Sequence, residues 1–60
     1  MPVVVVEMWA GRTAAQKKQI AAGITAVFTG MGVAPDAVTV ILKDNAKRNW
    51  ATGGKLADET

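Results

Sequence analysis

Apolar residues in this 60-residue chain form two runs, each broken by a single polar residue, separated by a periodic stretch. The first run, Val3 to Met8, contains four consecutive valines. β-Branched side chains are stiff at χ1 and suit a pleated backbone, so this run predicts a strand. It does not alternate cleanly with polar residues. Both faces are therefore expected to be covered, one by the chain's own helix and the other by a neighbouring subunit.

Gly11-Arg12 turns the chain, and Thr13-Ala14-Ala15-Gln16 matches a capping box, in which the Thr13 hydroxyl and the Gln16 side chain serve orphan amides reciprocally. Apolar residues then fall at Ile20, Ile24, Val27, Phe28 and Met31, the stripe of an amphipathic helix, with Lys17, Lys18 and Gln19 on its wet side. Gly30 and Gly32 close the helix, Gly32 being the better left-handed residue, and Pro35 prevents its continuation. Val38 to Leu42 predicts a second strand.

A strand, a long helix and a strand in about forty residues make a βαβ unit, with parallel strands and a right-handed crossover. Asp44 to Asn49 reads as a polar loop with a helical turn. Ala51 to Leu56 reads as a small hairpin turning on Gly53-Gly54, and Asp58-Glu59-Thr60 as a loose tail. The expected fold class is α+β: one domain over residues 1–60, built from a short βαβ unit and a C-terminal hairpin and assembled into an oligomer.

Composition sharpens the last point. A chain this short buries only about 60% of the surface its unfolded form exposes, and such chains need disulfides, a metal or self-association. There is no Cys and no His, which removes disulfides and the usual soft or imidazole metal ligands, while half the residues are hydrophobic. Association remains, and a homo-oligomer is expected. The net charge of +2 favours anionic small molecules modestly and nucleic acid weakly. No signal peptide is apparent and no run approaches the ~20 apolar residues of a membrane span, so a cytoplasmic location without membrane attachment is the expectation.

The candidate chemistry begins at Pro2. A small second residue generally permits removal of Met1, which leaves Pro2 with a free secondary amine. An amine is a base, whereas an amide is not. An α-amino group titrates near ~7.7–8.0 in model peptides, and apolar surroundings or nearby cations would lower that value. With no His or Cys present, this amine is the best candidate for a general base near neutral pH. The plain alternative is a proline opening an edge strand, where its missing N–H does no harm.

Arg12, at the mouth of the turn into the helix, offers a fork that holds a carboxylate bidentately. Taken alone it reads equally well as a solvated loop residue. Trp9 and Trp50 are two of only three aromatic residues, and packing alone would account for each. In a site, Trp50 would wall a pocket and exclude water around Pro2. Lys43, Lys47 and Arg48 form a basic stretch beside it.

Taken together, Pro2 with its apolar strand, Gly11-Arg12, Gln16-Lys17, Ala34-Pro35, Ala46-Lys47, Gly53-Gly54 and Leu56-Ala57 resemble the 4-oxalocrotonate tautomerase family. The resemblance covers nearly the whole chain. It implies a βαβ unit with a terminal hairpin, paired into dimers, three of which form a homohexamer with active sites at subunit boundaries. It implies an isomerase that moves a proton between oxygen and carbon of a 2-hydroxydienoate or an enolpyruvate-type acid, with a small-molecule carboxylate as substrate. In that reading Pro2 is the base, Arg12 grips the carboxylate from a neighbouring chain, and Trp50 keeps the pocket apolar. No cofactor or metal is implied, because the substrate's own conjugation spreads the charge.

One position departs from the pattern. The family's second arginine, on the second strand, falls on Thr39 here, which is neutral and too short to act as a clamp. Lys43 or Arg48 is the available substitute. Hydration of haloacrylates, another activity of the superfamily, needs a carboxylate near the final hairpin. That segment reads Thr52-Gly53-Gly54-Lys55, leaving only Glu7 as a stand-in. Two readings compete with the isomerase: an inactive or weakly active oligomer of the same fold, and a small anion- or nucleic-acid-binding module using Lys17, Lys18, Lys47 and Arg48. The second lacks any aromatic-interleaved basic strip, and no nucleic-acid partner is expected.

Overall fold

A computed structural model describes residues 1–59. Strand β1 (Val3–Trp9) leads through a turn to helix α1 (Ala14–Thr29), and a short 3₁₀ turn (Pro35–Ala37) leads into strand β2 (Thr39–Asn45). A second 3₁₀ turn (Lys47–Asn49), strands β3 (Ala51–Thr52) and β4 (Lys55–Leu56), and a third 3₁₀ turn (Ala57–Glu59) follow. β1 and β2 are parallel, in register from Val3 opposite Thr39 to Trp9 opposite Asn45. β3 and β4 are antiparallel. The βαβ unit and the terminal hairpin are both as expected.

The local signals act as read. Thr13 caps α1 with both halves of the capping box: its hydroxyl accepts the Gln16 N–H at 3.1 Å, and Gln16 Oε1 accepts the Thr13 N–H at 2.9 Å. Gly32 takes a positive φ of 91° beyond the helix. The hairpin turns on Gly53 (φ 61°) and Gly54 (φ 79°), the pair of positive angles that a type I′ turn requires and that side chains resist.

Three expectations need correction. The second strand begins one residue late and runs to Asn45, so Asp44 and Asn45 belong to the sheet and not to a loop. Backbone pairing extends it past its apolar stretch: Asn45 carbonyl accepts the Ala10 N–H at 2.9 Å, and the Asn45 side chain donates to Glu7 Oε1 at 2.9 Å and to the Met8 carbonyl at 3.2 Å. The helix face is also rotated from the predicted stripe. Ile20, Ile24 and Phe28 are half-buried, but so are Lys17, Ala21 and Thr25, while Val27 is 63% and Met31 73% exposed. Lys17 is not on the wet side; its Nζ pairs with Asp44 Oδ2 at 2.5 Å across to β2. Small Ala21 and Thr25 let the helix close on the sheet, and Met31 lies past the helix end. A count of large apolar residues weighs neither effect. Finally, Ala57–Glu59 is an ordered 3₁₀ turn, with Glu59 Oε2 accepting the Leu56 N–H at 3.2 Å; Thr60 lies outside the described residues.

The helix packs mainly on β2, and Val4, Val6, Met8, Val40 and Leu42 face it. Among the described residues only Met8 is buried, and it keeps 7% of its surface exposed. The opposite sheet face, with Val3, Val5, Glu7 and Trp9 on β1 and Thr39, Ile41 and Lys43 on β2, is open in the single chain. Size makes the same point. The surface is 4506 Å², against about 3,700 Å² for a compact monomer of this mass. The radius of gyration is 14.4 Å, against roughly 10.4 Å for a compact chain of this length. No described helix is long and apolar enough to cross a membrane.

Candidate active site

The parallel register sets the site residues at opposite ends of the sheet. Pro2 is half-buried at the start of β1, and its carbonyl accepts the Thr39 N–H at 3.0 Å. Pro2 and Thr39 are thus brought together, as a site built on both requires. Met1 is 96% exposed, so its loss removes no packed side chain. Arg12, Arg48 and Trp50 lie beyond the far ends of β1 and β2. Seven-residue strands at ~3.3 Å per residue put roughly 20 Å between the two ends.

That separation decides what one chain can do. All seven Lys and Arg residues lie within 12–18 or 43–55, and none within 19–42. Lys43, four residues along β2 from Thr39, stands on the open face opposite Glu7 in register and not at the Pro2 end. Glu7 is held by Asn45 toward the same far end, away from Pro2. Among the described residues, a single chain encloses no pocket and has no group of three or more His, Cys, Asp or Glu side chains placed to hold a metal ion.

The far end is better organised. Gly11, at φ 120°, makes the turn that swings Arg12 past the strand. Arg12 and Arg48 are exposed, and neither makes an ion pair among the described residues, which leaves both guanidinium groups available to an anion. Trp9 and Trp50 pack edge-to-face, ring centres 5.9 Å apart and planes at 75°, and Lys47 Nζ sits 4.8 Å from the Trp9 ring centre. Such an aromatic pair is worth about 0.5–1.5 kcal/mol, and an exposed cation–π contact about 0.5–1 kcal/mol. The sequence reading left Trp9 to packing and Lys47 to a generic basic stretch. Its missed signal was that Trp9 shares the open-face parity of Val3 and Val5, while Trp50 follows shortly after Asn45, the register partner of Trp9.

Residues 2–59 match the profile of the family described as Tautomerase enzyme. The chain belongs to this tautomerase family. A probable tautomerase from Bacillus cereus is 39% identical over 61 residues, covering 98% of this chain and 100% of the relative. A structure of the 4-oxalocrotonate tautomerase isozymes from Methylibium petroleiphilum superposes with a TM-score of 0.85 at 31% identity, covering 95% of this chain and 94% of that one. A wild-type fused 4-OT, an asymmetric trimer, superposes with a TM-score of 0.92 at 30% identity; the match covers 98% of this chain and 49% of that one. The resemblance read from the sequence therefore holds, and the chain is a tautomerase-family protein of the 4-oxalocrotonate tautomerase type.

Proposed function

We propose that this tautomerase-family protein, a single domain over residues 1–60, catalyses enol–keto proton transfer on a 2-hydroxydienoate or enolpyruvate-type carboxylic acid in the cytoplasm. After loss of Met1, the neutral Pro2 amine takes the proton from the enol hydroxyl. It returns that proton to a carbon further along the conjugated system, giving the ketone. Arg12 of a neighbouring chain holds the carboxylate and draws charge toward it. Trp50 excludes water, Arg48 supplies the second positive charge, and Thr39 lines the floor beside Pro2. No cofactor takes part.

The observation that carries this reading is the split of its residues between two ends of one sheet. A base without cations at one end and unpaired guanidinium groups with an aromatic wall at the other form a site only when two copies meet end to end. The open apolar face and the excess surface of the single chain supply a driving force for that meeting, at about 25 cal/mol per Å² of apolar area covered. The assembly in this reading is a homohexamer, a trimer of dimers. Burial of Pro2 at such a boundary would disfavour its charged form and hold the amine neutral near the working pH.

The test is ketonisation of phenylenolpyruvate and 2-hydroxymuconate by protein shown by mass spectrometry to lack Met1. Pro2→Ala is expected to lose about 10²–10⁴-fold in kcat, the usual worth of a positioned general base. The wild-type rate should also fall on the acid side as the proline amine protonates. Equal rates for the two proteins would remove the amine from the mechanism.

A further inference from the structure

We infer that Trp9 is a positioning residue for this site, setting the turn that carries both Arg48 and Trp50. The inference rests on the tautomerase reading above but concerns a residue to which that reading gives no role. Residues i and i+3 eclipse in a 3₁₀ turn, so Lys47, the first residue of the turn Lys47–Asn49, and Trp50, which follows it, stand on one side of it. Both reach Trp9: the Lys47 ammonium lies 4.8 Å from its ring centre and the Trp50 ring 5.9 Å. The turn therefore straddles one indole.

Arg48, a third of a turn away, is left exposed and makes no ion pair among the described residues. The backbone hydrogen bonds of this segment do not reach β1. Asn49 and Trp50 N–H donate within the turn, to the Ala46 and Lys47 carbonyls, and the Trp50 carbonyl accepts from Ala57 in the following turn. What ties the segment to the end of β1 is the Trp9 side chain. Trp9 in turn sits at the last register position of the parallel pair, opposite Asn45, whose side-chain amide binds the Met8 carbonyl and Glu7. The indole thus stands on a rigid base. Its removal leaves the turn anchored to β2 and packed against the segment that follows it but no longer tied to β1, and a shift of about 1 Å in a positioning element can cost up to a hundredfold in rate.

The experiment compares Trp9→Ala, Trp9→Phe and Lys47→Gln in protein lacking Met1, with turnover normalised to the assembled fraction measured by sedimentation. Phenylenolpyruvate is the substrate and Pro2→Ala the control. Trp9→Ala is expected to lower kcat/KM on the order of tenfold to a hundredfold, chiefly through KM, with the acid limb of the pH profile unmoved and the tryptophan couplet lost from circular dichroism. Trp9→Phe, which keeps an aromatic face for both partners, should recover most of that loss, and Lys47→Gln should cost less than Trp9→Ala. Wild-type efficiency in Trp9→Ala, an equal loss in Trp9→Phe, or a loss wholly explained by dissociation would each overturn the inference. Should Pro2→Ala keep wild-type turnover, the tautomerase reading fails separately. The inference is then judged by nitrogen relaxation of the Trp50 indole, whose order must drop in Trp9→Ala; unchanged order overturns it.

Discussion

The two ends of the β1–β2 sheet are built on opposite principles. At the Pro2 end, backbone does the work: a proline carbonyl accepts the Thr39 amide, and no Lys or Arg lies between residues 19 and 42 to supply charge. At the Trp9 end, side chains do it: a tryptophan pair, a lysine over one ring, an asparagine linking two strands, and guanidinium groups without an ion pair among the described residues. One end can hold a base in low dielectric. The other can hold an anion. In the proposed reading neither is a catalyst alone, and the contrast explains how a fold with one buried residue, Met8, can still specify a site. In that reading the contact between copies that covers the open sheet face also brings the two ends together.

The sharpest way to break this contrast is complementation between defective copies. Arg12→Ala should lower kcat/KM for carboxylate substrates by about 10²–10³-fold, on the scale of losing one charged hydrogen bond to the transition state. Mixing unfolded Arg12→Ala and Pro2→Ala chains in equal amounts and refolding them together should restore roughly a quarter of wild-type activity, since random pairing leaves that share of shared boundaries intact. Recovery no greater than the sum of the separate proteins would mean that both residues serve a site within one chain.

A second experiment adds charge where the Pro2 end has none. Thr39→Arg should raise kcat/KM for 2-hydroxymuconate, which carries two carboxylates, by about tenfold, corresponding to one added exposed charge-assisted hydrogen bond of about 1.5 kcal/mol. Phenylenolpyruvate, with a single carboxylate, should gain less. Equal gains for both substrates would mean that position 39 does not see the distal acid.

The smallest effect is expected on stability. Thr13→Ala removes the cap that starts the helix on its course from Arg12 to the Pro2 end. It should cost about 1 kcal/mol, read as a lower denaturant midpoint at unchanged slope. Activity should be nearly unaffected, because the cap touches neither end directly. A large loss of activity at wild-type stability would instead place the helix N-terminus in the site.

Legibility followed the range of the interaction. The capping box at Thr13 and Gln16, the glycine turn at Gly53-Gly54 and the valine-rich β1 are contacts within a few residues, and each was readable in order along the chain. Lys17 reaching Asp44, and Trp9 meeting Trp50 and Lys47, cross long stretches of sequence. Periodicity places Lys17 on the polar face of a helix, but it cannot see that the facing strand carries Asp44 next to its end. Nor can hydrophobic pattern separate Val27, left exposed, from Ile24, turned toward the sheet, when the rotation of the helix is set partly by Ala21 and Thr25.

By itself, the chain's order of residues determined which segments become strand, helix and turn, because β-branching, capping and positive φ are decided by near neighbours. It also carried the family pattern, since that is written in residue types at fixed positions. Only the tertiary structure decided that Thr39 joins Pro2 at one end of the sheet while Arg48 and Trp50 follow β2 to the Arg12 end, because a parallel crossover returns both strands in the same direction. The same packing alone decided that one sheet face stays open, because a single helix can cover only the other.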